Sequence, residues 1–300
     1  MADALSLLLR QLDFSAEVFF REAYCGRWAV DTSGSTHVPF HLVASGSAWL
    51  HHTETPTALV EGDLVVFPSD SPHLLSGSAN PPDVADVNQP PLPPSAGDET
   101  GLICGYFKLD RQAAEPLLSS LPTTMVAHLG TASDVRMRGL TAWWIREATA
   151  NQLGSDLAVD RLAELVFMEL LRAESAAGRV NGLVVALGHP RIGGVLAAIH
   201  ENPGADHQLR EMAKRAQLSE SAFATRFKAV VGMRPGEYVK QWRMNTAARL
   251  LRDTHQSIAA IAAGSGYVSE AAFRKAFQKF FLEPPGKYRR RQRTLAIERP

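Results

Sequence analysis

The stretch Ser219-Glu220-Ser221-Ala222-Phe223-Ala224-Thr225-Arg226-Phe227 returns fifty residues later as Ser269-Glu270-Ala271-Ala272-Phe273-Arg274-Lys275-Ala276-Phe277. That repetition decides how the C-terminal part of the chain is built. The match runs on from Pro235, Gly236 and Tyr238 to Pro285, Gly286 and Tyr288, and backwards it sets Ala213 against Ala263 and Ala216 against Gly266. A serine ahead of apolar residues at helical spacing is an N-cap, because its hydroxyl accepts from an amide that the first helical turn leaves free. Each copy therefore reads as helix, short turn, second helix and stop, over about 209–230 and 257–280. In the first, Leu209, Met212, Ala213 and Ala216 share a face, Gln217-Leu218 makes the turn, Phe223, Phe227 and Val230 point inward, and Gly232 and Pro235 end the helix. In the second, Ser257 caps a helix through Ile258, Ile261 and Ala262, Gly264-Ser265-Gly266 turns the chain, and Phe273, Phe277 and Phe280 face inward. Small residues at Ala213 and Ala263 suit a close helix crossing. Between the copies, Glu237 to Arg252 reads as a helix packed between two subdomains.

Two tandem helix-turn-helix units predict a domain that binds double-stranded DNA, with both second helices in the major groove about one turn, roughly 34 Å, apart. With the phenylalanines inward, the outward positions are Ser221, Ala224, Thr225 and Lys228 in the first unit and Ala271, Arg274, Lys275 and Gln278 in the second. Arg274 suits a bidentate pair with guanine, Lys275 guanine or phosphate, and the small residues of the first unit a thymine methyl or close backbone approach. The second unit is thus expected to carry more of the charged base readout. Arg226, Lys240, Arg243, Lys279, Arg289, Arg290, Arg291 and Arg293 are candidates for phosphate contact, of which about half are expected to serve.

Charge supports this division. The chain has 300 residues and zero formal net charge, yet 11 Lys+Arg stand against 22 Asp+Glu before Pro190, and 20 against 9 from there on. An acidic half joined to a basic half assigns the polyanion to the second. No apolar run approaches the roughly 18 residues of a membrane span, and Met1-Ala2-Asp3-Ala4-Leu5 lacks the order of a signal peptide, so a cytoplasmic protein without a membrane partner is expected. Two cysteines, Cys25 and Cys104, are too few for a disulfide framework.

The segment from about Arg191 to Arg293 resembles the DNA-binding domain of the AraC/XylS family of bacterial transcription regulators. The resemblance is carried by Ile258-Ala259-Ala260-Ile261-Ala262, Gly266-Tyr267, Ser269, Phe273, Phe277 and Pro284-Pro285-Gly286-Lys287-Tyr288-Arg289. It implies operator DNA and RNA polymerase as partners, activation of transcription, and no catalysis.

In the acidic half, Phe40-His41-Leu42-Val43, Ser47-Ala48-Trp49-Leu50, Leu64-Val65-Val66-Phe67 and Ile103-Cys104-Gly105-Tyr106-Phe107 read as strands of a small β-barrel or sandwich, with Ser78 to Thr100 an exposed loop. Helices are expected near Arg111 to Ser120, Ser133 to Asn151 and Val159 to Ala177. The apolar stripe of the last (Leu162, Leu165, Val166, Met168, Leu170, Leu171) suits either a core or a homodimer contact. Gly62 to Pro68 with His73 resembles the second motif of cupin barrels, although Asp70 stands where glycine is usual; of the first motif only His41 remains. The whole half resembles the cupin-like sensor domain of an AraC-family subgroup that includes a reactive-chlorine-responsive regulator, with Cys25 and Cys104 at matching positions.

The expected architecture is α+β in two domains: a cupin-like sensor and dimerisation domain over 1–180, a linker over 181–191, and an all-α DNA-binding domain over 192–293. No cofactor is required. Oxidation of Cys25 and Cys104 to a disulfide is one expected switch, and zinc or another transition metal held by Cys25, Cys104, His41 and His73 is a second. Two unreactive buried thiols, with an unknown small ligand in the barrel, are the third possibility, and His41 and His73 are then open to a reading as satisfied core histidines. A cupin metal enzyme with a basic helical tail is the competing function, but it would need a three-ligand set with an open position. A DNA-repair adaptor would need a cysteine cluster.

Overall fold

The computed structural model describes residues 3–91, 99–131, 134–150 and 152–297. In chain order the elements are α1 (Ala4–Gln11), β1 (Ser15–Cys25), β2 (Ala29–Val30), β3 (Val38–Ser45), β4 (Ser47–His51), β5 (Thr57–Val60), β6 (Asp63–Val66), β7 (Leu74–Ser76), β8 (Glu99–Lys108), α2 (Arg111–Leu118), β9 (Met125–His128), α3 (Val135–Ala150) and α4 (Ser155–Ala176). There follow α5 (Gly182–Gly188), α6 (Gly193–Glu201), α7 (Leu209–Arg215), α8 (Glu220–Val231), α9 (Pro235–Asp253), α10 (Ile258–Gly264), α11 (Glu270–Phe281) and α12 (Pro285–Ile297). They form two compact units, Asp13–Val180 and Met1–Leu12 with Asn181–Pro300. The expected boundaries differ from this division. Helix α1 stands with the C-terminal unit instead of the sensor, and the expected linker holds α5, whose Leu183, Val184 and Ala186 are buried and which packs on α8.

The Asp13–Val180 unit has two antiparallel sheets, β1-β8-β3-β6-β9 and β2-β7-β4-β5. Strand β3 is buried at every residue from Val38 to Ala44, and β6 along its whole length, as in strands covered on both faces. Between the sheets Tyr24, Trp28, Val43, Leu50, Val65, Phe67, Leu75, Leu102 and Cys104 form one apolar cluster. Strand β1, which is not among the expected strands, is an edge of the larger sheet. Two of its amide groups donate to carboxylates of α4, Val18 to Asp160 at 2.8 Å and Ala16 to Glu164 at 3.3 Å, so this edge is not open to a foreign strand. Of the loop expected over 78–100, residues 80–91 hold a short 3-10 turn at Val84–Asp86, β8 begins at Glu99, and 92–98 lie outside the described residues. The ends of the helix expected over 133–151 lie outside them as well. In α4, Leu162, Val166, Leu170 and Leu171 are buried with Val159 and Phe167, whereas Leu157 and Leu165 face outward, 62% and 44% exposed.

In the C-terminal unit α9 is the spine. Its Tyr238 and Trp242 pack toward Phe227 of α8, and its Met244, Ala247, Ala248 and Leu251 enclose Ile261, Ala262, Phe273, Phe277 and Tyr288 of the second unit. The serine caps form as expected: Ser219, Ser257 and Ser269 accept from Ala222, Ala260 and Ala272 at 3.3, 3.1 and 3.2 Å. The repeat is not one uniform offset. Helices α8 and α11 correspond at fifty residues, but α7 and α10 at forty-nine, since Met212, Ala213 and Ala216 are buried where Ile261, Ala262 and Ser265 are. The left-handed residues of the two turns, Gln217 and Gly266, keep the offset of forty-nine. Ala262, not the exposed Ala263, fills the crossing, and the extra residue is the fully exposed Val268.

Candidate nucleic-acid interface and the buried histidine pair

Phe223, Phe227, Phe273 and Phe277 are fully buried, which turns the opposite faces of α8 and α11 outward. Ser221, Thr225, Lys228, Ala271, Arg274, Lys275 and Gln278 are exposed there and Ala224 is half-buried. Ala224, Thr225 and Lys228 line a cavity of about 620 Å³ together with His207, Leu209, Arg234 and Gly236. His207 and Arg234 were not singled out in the sequence, because they belong to neither second helix. Arg274 is held by Glu270, one turn earlier, with Nε and Nη2 at 2.7 and 2.6 Å from Oε1. Lys275 and Lys228 have no ion pair among the described residues.

The basic residues expected to contact phosphate divide in two. Arg226, Lys240, Lys279 and Arg290 are exposed. The others are engaged within the unit: Arg243 donates to the carbonyls of Pro203 and Ala205, Arg289 to that of Gln256, Arg293 to that of Thr254, and Arg291 pairs with Glu283 at 2.7 Å.

In the other unit, His41 on β3 and His73 just before β7 converge, with Nε2 atoms 3.3 Å apart. The hydroxyl of Thr32 lies 3.1 Å from the first and 3.0 Å from the second. His73 Nδ1 donates to the Ser71 carbonyl at 2.7 Å, so its Nε2 is the accepting nitrogen. Burial pushes both imidazoles below the usual range, His41 furthest, with the neighbouring His73 adding to it. With both rings neutral, the donors run in one direction: the Cys104 thiol to His41 Nδ1, 3.0 Å away, then His41 Nε2 toward Thr32 and His73. Burial also pushes the Cys104 thiol up, which keeps it protonated. Thr32 reaches the pair because its loop is clamped by Asp70, whose carboxylate accepts from the amides of Gly34 and Thr36 at 3.1 and 2.8 Å. Asp70 has φ +54, which explains why glycine is usual at this position.

The expected Cys2His2 set does not assemble. Across the β1–β8 ladder Cys104 faces Phe20, whereas Cys25 faces Glu99, five residues further along β8. The two cysteines are therefore separated by about 17 Å of strand. A disulfide needs Cα atoms within about 7 Å, so linking them would require β1 to leave β8. Nor can Cys104 share an ion with the His41–His73 edge, because it approaches the opposite nitrogen of His41. Among the described residues no three His, Cys, Asp or Glu side chains converge on one point, so the residues fit neither the four-ligand site nor the three-ligand site of a metal enzyme.

Comparison with known proteins bears on both units. Residues 3–176 match a family model described as Cupin, and residues 212–291 one described as a helix-turn-helix domain. The chain is 30% identical over 303 residues to a putative AraC-like transcription regulator of Streptomyces lividans, with 97% of each chain covered. It is 28% identical over 266 residues, 86% of each chain, to the RCS-specific HTH-type transcriptional activator RclR of Escherichia coli K12. Among solved structures it is similar to the DNA-binding domain of AdpA in complex with a target DNA, at 25% identity and a TM-score of 0.35, covering 37% of this chain and 99% of that one.

Proposed function

This chain belongs to the AraC-like transcription regulators that join a cupin domain to a helix-turn-helix domain, and on that premise we propose which residues read DNA and what controls them. It is a DNA-binding regulator and not an enzyme. The base readers are Ser221, Ala224, Thr225 and Lys228 on α8 and Ala271, Arg274, Lys275 and Gln278 on α11. The observation that carries this reading is the burial of the four phenylalanines, which leaves these positions on the outward faces of both helices. Homodimerisation through the outer face of α4, activation through RNA polymerase and a cytoplasmic location accompany the family likeness. The exposed Leu157 and Leu165 support the first of these, and no single helix among the described residues is long and apolar enough to cross a membrane.

Control is assigned to the Asp13–Val180 unit, through oxidation of Cys25 and Cys104 as separate thiols. In support, the similar RclR is named as RCS-specific, and Cys104 donates into the histidine pair, so that oxidation to a sulfenic acid would replace the S–H at the head of that chain with a longer S–O–H group. Peptide mapping during titration with hypochlorite tests this. The expected result is loss of free thiol at each cysteine without a Cys25–Cys104 crosslink, accompanied by altered DNA affinity. Altered affinity with both thiols intact would overturn it.

A further inference from the structure

Two glycines mark a seam inside the C-terminal unit. The loop after α6, through Pro203, Gly204 and Ala205, leads into the first helix-turn-helix unit, and Gly264 to Gly266 is the turn inside the second. A Cβ on Gly204 would stand 2.3 Å from the Gly264 carbonyl oxygen, and one on Gly266 would stand 2.7 Å from the Gly204 oxygen. Neither backbone leaves room for a side chain. Arg243, midway along α9, spans the seam. Its Nε and Nη2 donate to the Pro203 and Ala205 oxygens at 2.8 Å each, and its Nη1 reaches the Gly266 oxygen at 3.5 Å. The planar guanidinium supplies these donors in a fixed fork, which a lysine cannot imitate.

We propose that Arg243 is a positioning residue that sets the spacing of the two reading helices, by pinning the loop ahead of the first unit to the turn inside the second. A cation half-buried against three carbonyls is poorly placed for a phosphate, and it ties together segments that enter α7 and α11. The proposal rests on the reading that α8 and α11 contact one DNA duplex together. In the absence of the pin each unit still folds around its own phenylalanines, but the separation between the helices becomes adjustable.

The test uses the full chain and sites it selects from a random-sequence duplex library. One base pair is then inserted between the halves of the selected site, which turns them by about 34° and parts them by about 3.4 Å. Wild type is expected to lose at least about tenfold in affinity, because one helix forfeits its base contacts. Arg243→Met is expected to bind the uninterrupted site more weakly but to lose less than about threefold on insertion, with unchanged base preference in each half. Gly204→Ala, which forces the same seam apart by another route, should behave alike even where Arg243→Met does not fold. A full insertion penalty in a folded variant overturns the role of Arg243. Selection of no two-part site by wild type instead overturns the underlying reading of DNA recognition, and the positioning role with it.

Discussion

Arg274, proposed to read a base, is already engaged within its own helix, its guanidinium resting on Glu270 one helical turn away. An exposed pair of this kind is worth about 0.3–0.5 kcal/mol, far less than a bidentate contact with guanine, so the exchange on binding costs little. Arg274→Ala should therefore lose roughly 1–3 kcal/mol of discrimination at a single base position, measured by competition with every single-base variant of a selected site. A uniform loss across all variants would reduce Arg274 to a phosphate contact. The outward set that contains it was legible because phenylalanine at four-residue spacing fixes which face is buried. Arg243, Arg289 and Arg293 were not legible in the same way. Their acceptors are backbone carbonyls 23 to 40 residues away, and a sequence marks the donor without the acceptor. The same holds for Thr32, which meets His41 and His73 only because Asp70 clamps its loop.

At the scale of elements, α1 is held to the DNA-binding unit by His200 and by Arg249, whose Nε donates to Gln11 Oε1 at 3.2 Å. His200 on α6 donates from Nδ1 to the Ala4 carbonyl at 3.1 Å, accepts at Nε2 from the Tyr238 hydroxyl at 2.6 Å, and stacks on Trp242. Both nitrogens are committed to the neutral ring, and burial pushes its pKa down to about 4. The unfolded chain, with histidine near 6.5, then binds more protons than the folded one between pH 6.5 and 4. Stability should accordingly fall as the pH drops through that window, by about 3 kcal/mol in all. Urea unfolding as a function of pH measures it, and His200→Gln should flatten that part of the profile; an unchanged slope would show that other groups set it. The β-rich runs of β3, β4, β6 and β8 and the caps of α8, α10 and α11 could be read from sequence. The slip between the two copies could not, because adjacent alanines at Ala262 and Ala263 fit either register. Strand β1 escaped because an irregularity between Val18 and Phe20 breaks its alternation, leaving Phe19-Phe20 and then Arg21-Glu22 as adjacent like residues.

For the whole molecule, the chain passes between the two units twice, after Leu12 and after Val180. Each passage is flanked by a helix of the DNA-binding unit: α1, held to α6 by His200, and α5, packed on α8. The acidic half and the basic half were visible in charge alone, but these crossings were not, since neither helix resembles the repeat. A signal that disturbs the Thr32–His41–His73–Cys104 cluster thus arises in a unit whose two ends both run directly into helices of the reading unit. Both outward faces are proposed to read one duplex, and to do so unequally. Methylation-protection footprinting of a selected operator tests this most directly, comparing wild type with Arg274→Ala. Two protected major-groove patches are expected on one face of the DNA, about one helical turn apart, with only the patch under α11 weakened by the substitution. A single patch, or equal weakening of both, would contradict it.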